Sequence, residues 1–148
     1  MIEKHHTESP LVRRHLLWGW CGLLIFLTLG VVLEAFHAFK EPLYLHVESE
    51  TRRFLWRLSH AHGALLSLLQ IGAAWTLSWL GAARVTRSVR LGSSSLLVAS
   101  ASLPAGFFGA GVTATAGDPG LFILLVPVGA VFLGAGVALF AAAIVRRR

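Results

Sequence analysis

From residue 91 to residue 117 the chain reads LGSSSLLVASASLPAGFFGAGVTATAG, 27 residues without one Asp, Glu, Lys or Arg. Three other stretches are as bare: 19 residues between Arg14 and Glu34, 26 between Arg57 and Arg84, and 26 from Gly120 up to Arg146. A bilayer core about 30 Å thick takes roughly 20 apolar residues in a helix that rises about 1.5 Å per residue. All four gaps meet that length. A soluble core helix needs a polar face recurring every three or four residues, and these segments hold no charges to build one. The sequence therefore predicts an all-α, integral membrane four-helix bundle, a single domain over 1–148. Its spans lie at approximately 16–37, 58–81, 93–113 and 121–145.

Composition agrees. Of 148 residues, 55% are hydrophobic and 14% charged, and the mean hydropathy is +0.70. Globular domains run nearer a quarter charged, so this chain has too few charges to coat a water-soluble sphere. The apolar content excludes disorder, and the single cysteine, Cys21, excludes a disulfide scaffold. Arg13, Arg14 and the apolar run Leu16–Leu33 imitate a secretory signal. Glu34-Ala35-Phe36-His37-Ala38 lacks the small residues of a cleavage site, however, and bulky Trp20 precedes Cys21 where a lipoprotein site needs a small one. The first span is expected to stay.

Orientation follows from the bases. With the N-terminus inside, Lys4, Arg13, Arg14, Arg84, Arg87, Arg90 and Arg146 to Arg148 are cytoplasmic, and Lys40, Arg52, Arg53 and Arg57 are outside. Both termini are thus expected on the cytoplasmic side of the cell's inner (cytoplasmic) membrane. The net charge of +6 is then a topological signal and an attraction to anionic lipid. A nucleic-acid partner is unnecessary, and no zinc-finger, RNP-type or helix-turn-helix pattern calls for one.

Helices in lipid associate through small residues and a few polar contacts. At about 100° per residue, Ser59, His60, Gly63, Ser67, Gln70, Ala74, Ser78 and Gly81 share one third of the second helix, the face expected inside the bundle. Ala130, Gly134 and Ala138 make the expected seam of the fourth. Pro104 should kink the third helix, and a cavity there is one outcome. Asp118-Pro119-Gly120 reads as a tight turn joining the last two helices. Ser49 or Thr51 is placed to cap the second helix, and Trp56, Trp18 and Trp20 are placed as interface anchors. Cys21 reads as a small core residue.

Of seven histidines, His5, His6 and His15 fall in what reads as a flexible basic tail. His37, His46, His60 and His62 fall on the opposite side. Glu34 and His37, three apart, share a face of the first helix, and an antiparallel return brings His60 to similar depth. Three uses stay open. Glu34, His37, His60 and His46 supply the ligand types of a divalent metal site. His37 and His60 on adjacent helices have the arrangement that holds a haem b, with Gly30 and Gly63 leaving room. The same groups also serve as interhelical hydrogen bonds. His60 and His62 point about 200° apart, so they do not share an ion. No G-x-S-x-G, Walker loop, C-x-x-C or H-E-x-x-H is present.

Glu34-Ala-Phe-His-Ala-Phe-Lys40, the polar loop after it, His60-Ala-His-Gly-Ala-Leu-Leu66 and Leu124-Leu-Val-Pro-Val-Gly-Ala-Val-Phe132 resemble the small four-helix membrane family that includes transmembrane protein 256. That resemblance implies the architecture and no particular activity. The second helix is also similar to that of hydroxylaminobenzene mutases, where a histidine stands near a glycine at a helix start. Those enzymes carry an Asn-Gly within the helix; this chain has no asparagine and reads Leu65-Leu-Ser-Leu-Leu-Gln70.

The expected function is that of a structural or accessory membrane component, as a homo-oligomer or beside other subunits. The alternative is a haem- or metal-binding redox or isomerase-like protein using Glu34, His37 and His60.

Overall fold

The computed structural model describes residues 9–146, apart from the side chains of Glu48 and Ala82. It is 88% helix, with no strand among the described residues. The helices are α1 (Pro10–Ala38), the single turn α2 (Pro42–Leu45), α3 (Glu50–Leu80), α4 (Arg87–Thr113) and α5 (Leu125–Val145). A 3-10 turn, Leu121–Leu124, leads into α5. Four segments are long and apolar enough to cross a membrane: α1, α3, α4, and α5 with its leading turn.

Three helices start well before the charge-free segments do. Arginine and glutamate are good helix formers, and their long stems lie along a helix while the head reaches water. A charge ends an apolar stretch without ending the hydrogen-bond ladder. Pro10 opens α1 at a position where a missing N–H costs nothing. At the start of α4 the Thr86 hydroxyl accepts from Val89 N–H at 3.4 Å. Ser49 sits at the head of α3, yet its side chain makes no capping bond. Pro127 falls in the first turn of α5, where its missing donor is again no loss.

The turn between α4 and α5 is tight, as its sequence implies. Gly120 N–H donates to Asp118 Oδ1 at 2.8 Å, and Gly117 and Gly120 take φ of 87° and 67°, the left-handed region that favours glycine.

Packing runs between chain neighbours: α1 on α3, α3 on α4, α4 on α5. In the most apolar stretches of the inner pair, α3 and α4, about half of the residues are buried, whereas α1 and α5 keep most of their surface outside. At the end of the molecule holding Pro10 and Val145, Val12, Leu77, Val89, Leu96 and Phe140 form one cluster. Midway, Leu55, Leu66, Ala99, Leu103 and Phe107 form another. Leu33, Tyr44 and Trp56 close the far end.

The α3 face is the expected one. Ser59, Gly63, Ser67, Gln70 and Ala74 are buried, while Ser78 is exposed. Gly63 lets α1 approach so closely that an added Cβ would stand 2.2 Å from the Phe26 ring. The α5 seam differs from expectation. Ala130, Gly134 and Ala138 face outward, and nothing lies within 4 Å of a Cβ added at Gly134. The face against α4 carries Gly129, Gly136 and Phe140. Small residues surround α5, so spacing alone left the inward face open. Larger Phe140, in step with Gly129 and Gly136, marks it.

Trp56 is a packing residue rather than an interface anchor. It is buried, stacked on Phe108 with ring centroids 5.8 Å apart, and its indole N–H donates to the Phe108 carbonyl at 3.3 Å. Trp18 and Trp20 are exposed, and so is Cys21, expected in the core. Pro104 sits inside a continuous α4, with the Ser59 hydroxyl donating to its carbonyl at 2.9 Å. A crevice of about 530 Å³ lies beside it, lined among others by Cys21, Gly22, Ser67, Ser100 and Ala105. It exists because α1 and α4 both pack on α3 without closing on each other.

Candidate functional site

Two histidines sit at the contact between α1 and α3, one near each end, and their surroundings differ. His15, expected in a basic tail, is 0% exposed. Because α1 begins at Pro10, residue 15 already lies inside the helical packing. Its Nδ1 faces Gln70 Oε1, and its Nε2 is 2.7 Å from Ser93 Oγ. Gln70 Nε2 donates to the Leu96 carbonyl at 2.8 Å and to Ser100 Oγ, which in turn donates to the Leu96 carbonyl at 2.7 Å. With its amide nitrogen so engaged, Gln70 presents its oxygen to His15. Nδ1 therefore carries the hydrogen, and Nε2 accepts from the Ser93 hydroxyl. Arg14 Nη2 completes the chain by donating to Ser93 Oγ at 3.0 Å, while Arg14 Nε is buried without a partner. The His15 ring also meets Phe140 edge-on, with centroids 6.4 Å apart, joining the first and last helices. Every polar atom of His15 and Gln70 is used, which leaves no vacancy for a ligand. The histidines His5 and His6 lie outside the described residues.

His60 is half-buried and only half engaged. Its Nδ1–H donates to the Phe26 carbonyl at 2.7 Å. A carbonyl only accepts, so this bond fixes the tautomer, and the neutral ring offers Nε2 as a lone pair. Nε2 has no hydrogen-bond partner among the described residues. The ring rests on Gly30, where a Cβ would stand 2.4 Å from Cε1. An imidazole held by one nitrogen to a backbone carbonyl, with the other nitrogen open, has the arrangement of a ligating histidine.

Around it lies a groove of about 560 Å³ whose walls include Leu27, Val31, Glu34, Tyr44 and Arg57. Tyr44 is 3% exposed and packs against Phe36, with ring centroids 6.0 Å apart. Arg53 holds the Tyr44 carbonyl at 3.1 Å, while the tyrosine hydroxyl has no partner among the described residues. Burial pushes the pKa of that hydroxyl up, against the opposing pull of Arg57 and Arg53; Glu34 pushes the same way as burial.

The residues singled out from the sequence divide. Glu34 and His60 line one groove; His37 and His46 are exposed and are not among its lining residues. The cause is the early start of α3. His60 lies ten residues into that helix and stands opposite Gly30. His37, seven residues past Gly30, keeps the same face but lies about 10 Å further along the axis. Among the described residues, no three of His, Cys, Asp and Glu gather as a metal site. His62 turns the other way, donating to the Leu58 carbonyl at 2.9 Å and packing on Phe107 of α4 at 4.9 Å. Sequence reasoning missed Tyr44 and Arg57 as groove residues, and the His15 cluster altogether. Gln70 carried the signal for that cluster, because a buried amide on an apolar helix needs polar partners. Comparison with known protein families, curated proteins and solved structures finds no match to this chain.

Proposed function

We propose that this chain is a four-span protein of the inner (cytoplasmic) membrane, with both termini cytoplasmic, acting as a structural or accessory component of a membrane complex. The observation that carries this reading is the outer surface. α1, and α5 with its leading turn, present Leu24, Ile25, Val31, Leu124 and Val131 outward, each at least 60% exposed. A surface of that kind suits lipid or another helix. The bases concentrate at the end holding Arg13, Arg14, Arg84, Arg87 and Arg146, which supports the inside assignment. The resemblance to the family that includes transmembrane protein 256 points to the same architecture.

Within this reading, α5 supplies the contact to a second copy or another subunit. Its outward Ala130, Gly134 and Ala138 have the four-residue spacing that lets helix backbones approach in lipid. Crosslinking in native membranes, followed by mass measurement of the detergent-extracted species, tests this. A complex that Gly134→Leu dissociates, with the fold intact, supports the reading. A monomer that crosslinks to nothing contradicts it.

A second reading, a small-molecule site at His60, is favoured by the unengaged Nε2 in an open groove. Haem b or a divalent metal would use that nitrogen as a ligand, with the Glu34 carboxylate in the same lining, and would find His37 and His46 outside the groove. An absorption spectrum without a Soret band, together with metal analysis below stoichiometry, counts against both groups.

A further inference from the structure

We propose that the His60 groove binds a neutral, membrane-soluble hydroxylated ring with an apolar tail, the chemistry of a quinol, and prefers it to the oxidised quinone. The proposal rests on the membrane reading above and names the ligand class of the second site.

Three observations carry it. The first is the polarity of the walls. His60 Nε2 is a lone pair without a partner, held in place by the Phe26 carbonyl and the Gly30 seat. The Glu34 carboxylate is a second acceptor in the same groove. Two acceptors call for a ligand with two donors. Gly30, under the imidazole, and Glu34 are four residues apart on α1, about 6 Å along its axis.

The second is charge. Arg57 and Glu34 stand in one lining with opposite charges, so the groove carries no net formal charge to attract an ionic headgroup. This disfavours a phospholipid phosphate, which would bring its charge to Glu34 as well as to Arg57.

The third is direction. The polar groups lie towards α2 and the start of α3, whereas Leu27 and Val31 continue the wall along α1 towards mid-helix. Val31 is 69% exposed, so the groove is open on the face that the membrane reading gives to lipid. A ligand dissolved in the bilayer enters there, head towards Glu34 and tail along Leu27. The quinone form has carbonyls where the quinol has hydroxyls, and it offers nothing to the His60 lone pair or to the carboxylate. Quinone carbonyls accept only, from Arg57 or the Tyr44 hydroxyl of the same lining, whereas quinol hydroxyls accept from those groups and also donate to His60 and Glu34; the preference for the reduced form follows from that difference.

The test uses the full chain in phosphatidylcholine nanodiscs, incubated without oxygen with a short-tailed benzoquinol or the corresponding benzoquinone. The amount retained is read against nanodiscs of the same lipid without protein. The expected result is one quinol retained per chain, with at least about tenfold weaker retention of the quinone. His60→Phe, which keeps a planar aromatic ring and loses the acceptor, is expected to weaken quinol retention by about tenfold. Val31→Trp fills the groove from its exposed wall, away from the core, and is expected to abolish retention. His62→Phe, turned towards α4, is expected to leave it unchanged. Equal retention of both forms, no excess over empty nanodiscs, indifference to both groove substitutions, or haem or metal already held at His60 would each overturn the proposal. A chain that inserts in the nanodisc and holds no quinol overturns it alone. A chain that stays soluble outside the bilayer overturns the membrane reading with it.

Discussion

The two ends of the α1–α3 contact solve the same problem in opposite ways. At one end His15 is sealed, with both ring nitrogens committed to Gln70 and Ser93. At the other, His60 commits one nitrogen to the Phe26 carbonyl and leaves the second facing a groove. The difference comes from what covers each ring. α4 and α5 reach over His15 through Ser93 and Phe140, whereas the His60 ring has α1 on one side and only the single turn α2 nearby. A buried polar group closed on all sides fixes the register of helices; one left open on one side is available for chemistry. Residue type alone does not separate the two roles.

The comparison can be broken first at the glycine that lets α1 and α3 touch at all. Gly63→Leu drives a side chain into the Phe26 ring between the two sites. It should cost about 3 kcal/mol, near the upper end for overpacking, and loosen both histidines. Reversible unfolding in mixed micelles would register it. Next comes the sealed end. Gln70→Leu leaves the His15 Nδ1–H without its acceptor in a dry interior, an expected loss of about 2 kcal/mol in the same assay. Ser93→Ala removes a smaller part of that cluster, for about 1 kcal/mol. At the open end, His60→Phe should cost only about 0.5 kcal/mol, because one partly accessible hydrogen bond contributes little net and the open groove takes up the larger ring. If His60→Phe proved as costly as Gln70→Leu, the contrast between a structural and an available histidine would collapse.

Much of the fold was legible in the sequence because charge is so scarce. Four gaps without Asp, Glu, Lys or Arg located four helices, and the polar stripe from Ser59 to Ala74 located the inner face of α3. The helix starts were not legible from the same signal. Arg13, Arg14, Arg52, Arg53 and Arg87 all continue a helix, and a reading based on where charges are absent stops short of them. That displacement also explains the two errors at the sites. His15 looked like tail because it follows two arginines, although Pro10 is a good first residue for a helix. His37 looked level with His60 because the second span was begun at 58, although Ser49 and Thr51 already marked a helix start near the observed Glu50. On α5 the inward face was illegible for another reason: with Gly129, Ala130, Gly134, Ala135 and Gly136 spread round the helix, small-residue spacing fits more than one face. Glu34 and His60 as neighbours could be read from the antiparallel return. The roles of Tyr44 and Arg57 needed the fold of the loop and of α2.

The most direct measurement of the central claim is the reactivity of each imidazole with diethyl pyrocarbonate in the folded, bilayer-embedded protein, mapped by mass spectrometry of the peptides. The open-end account predicts that His60 is modified at Nε2 while His15 remains unmodified until the protein is unfolded. Modification of His15 at the rate of His60, or protection of His60 equal to that of His15 without any ligand present, would contradict it.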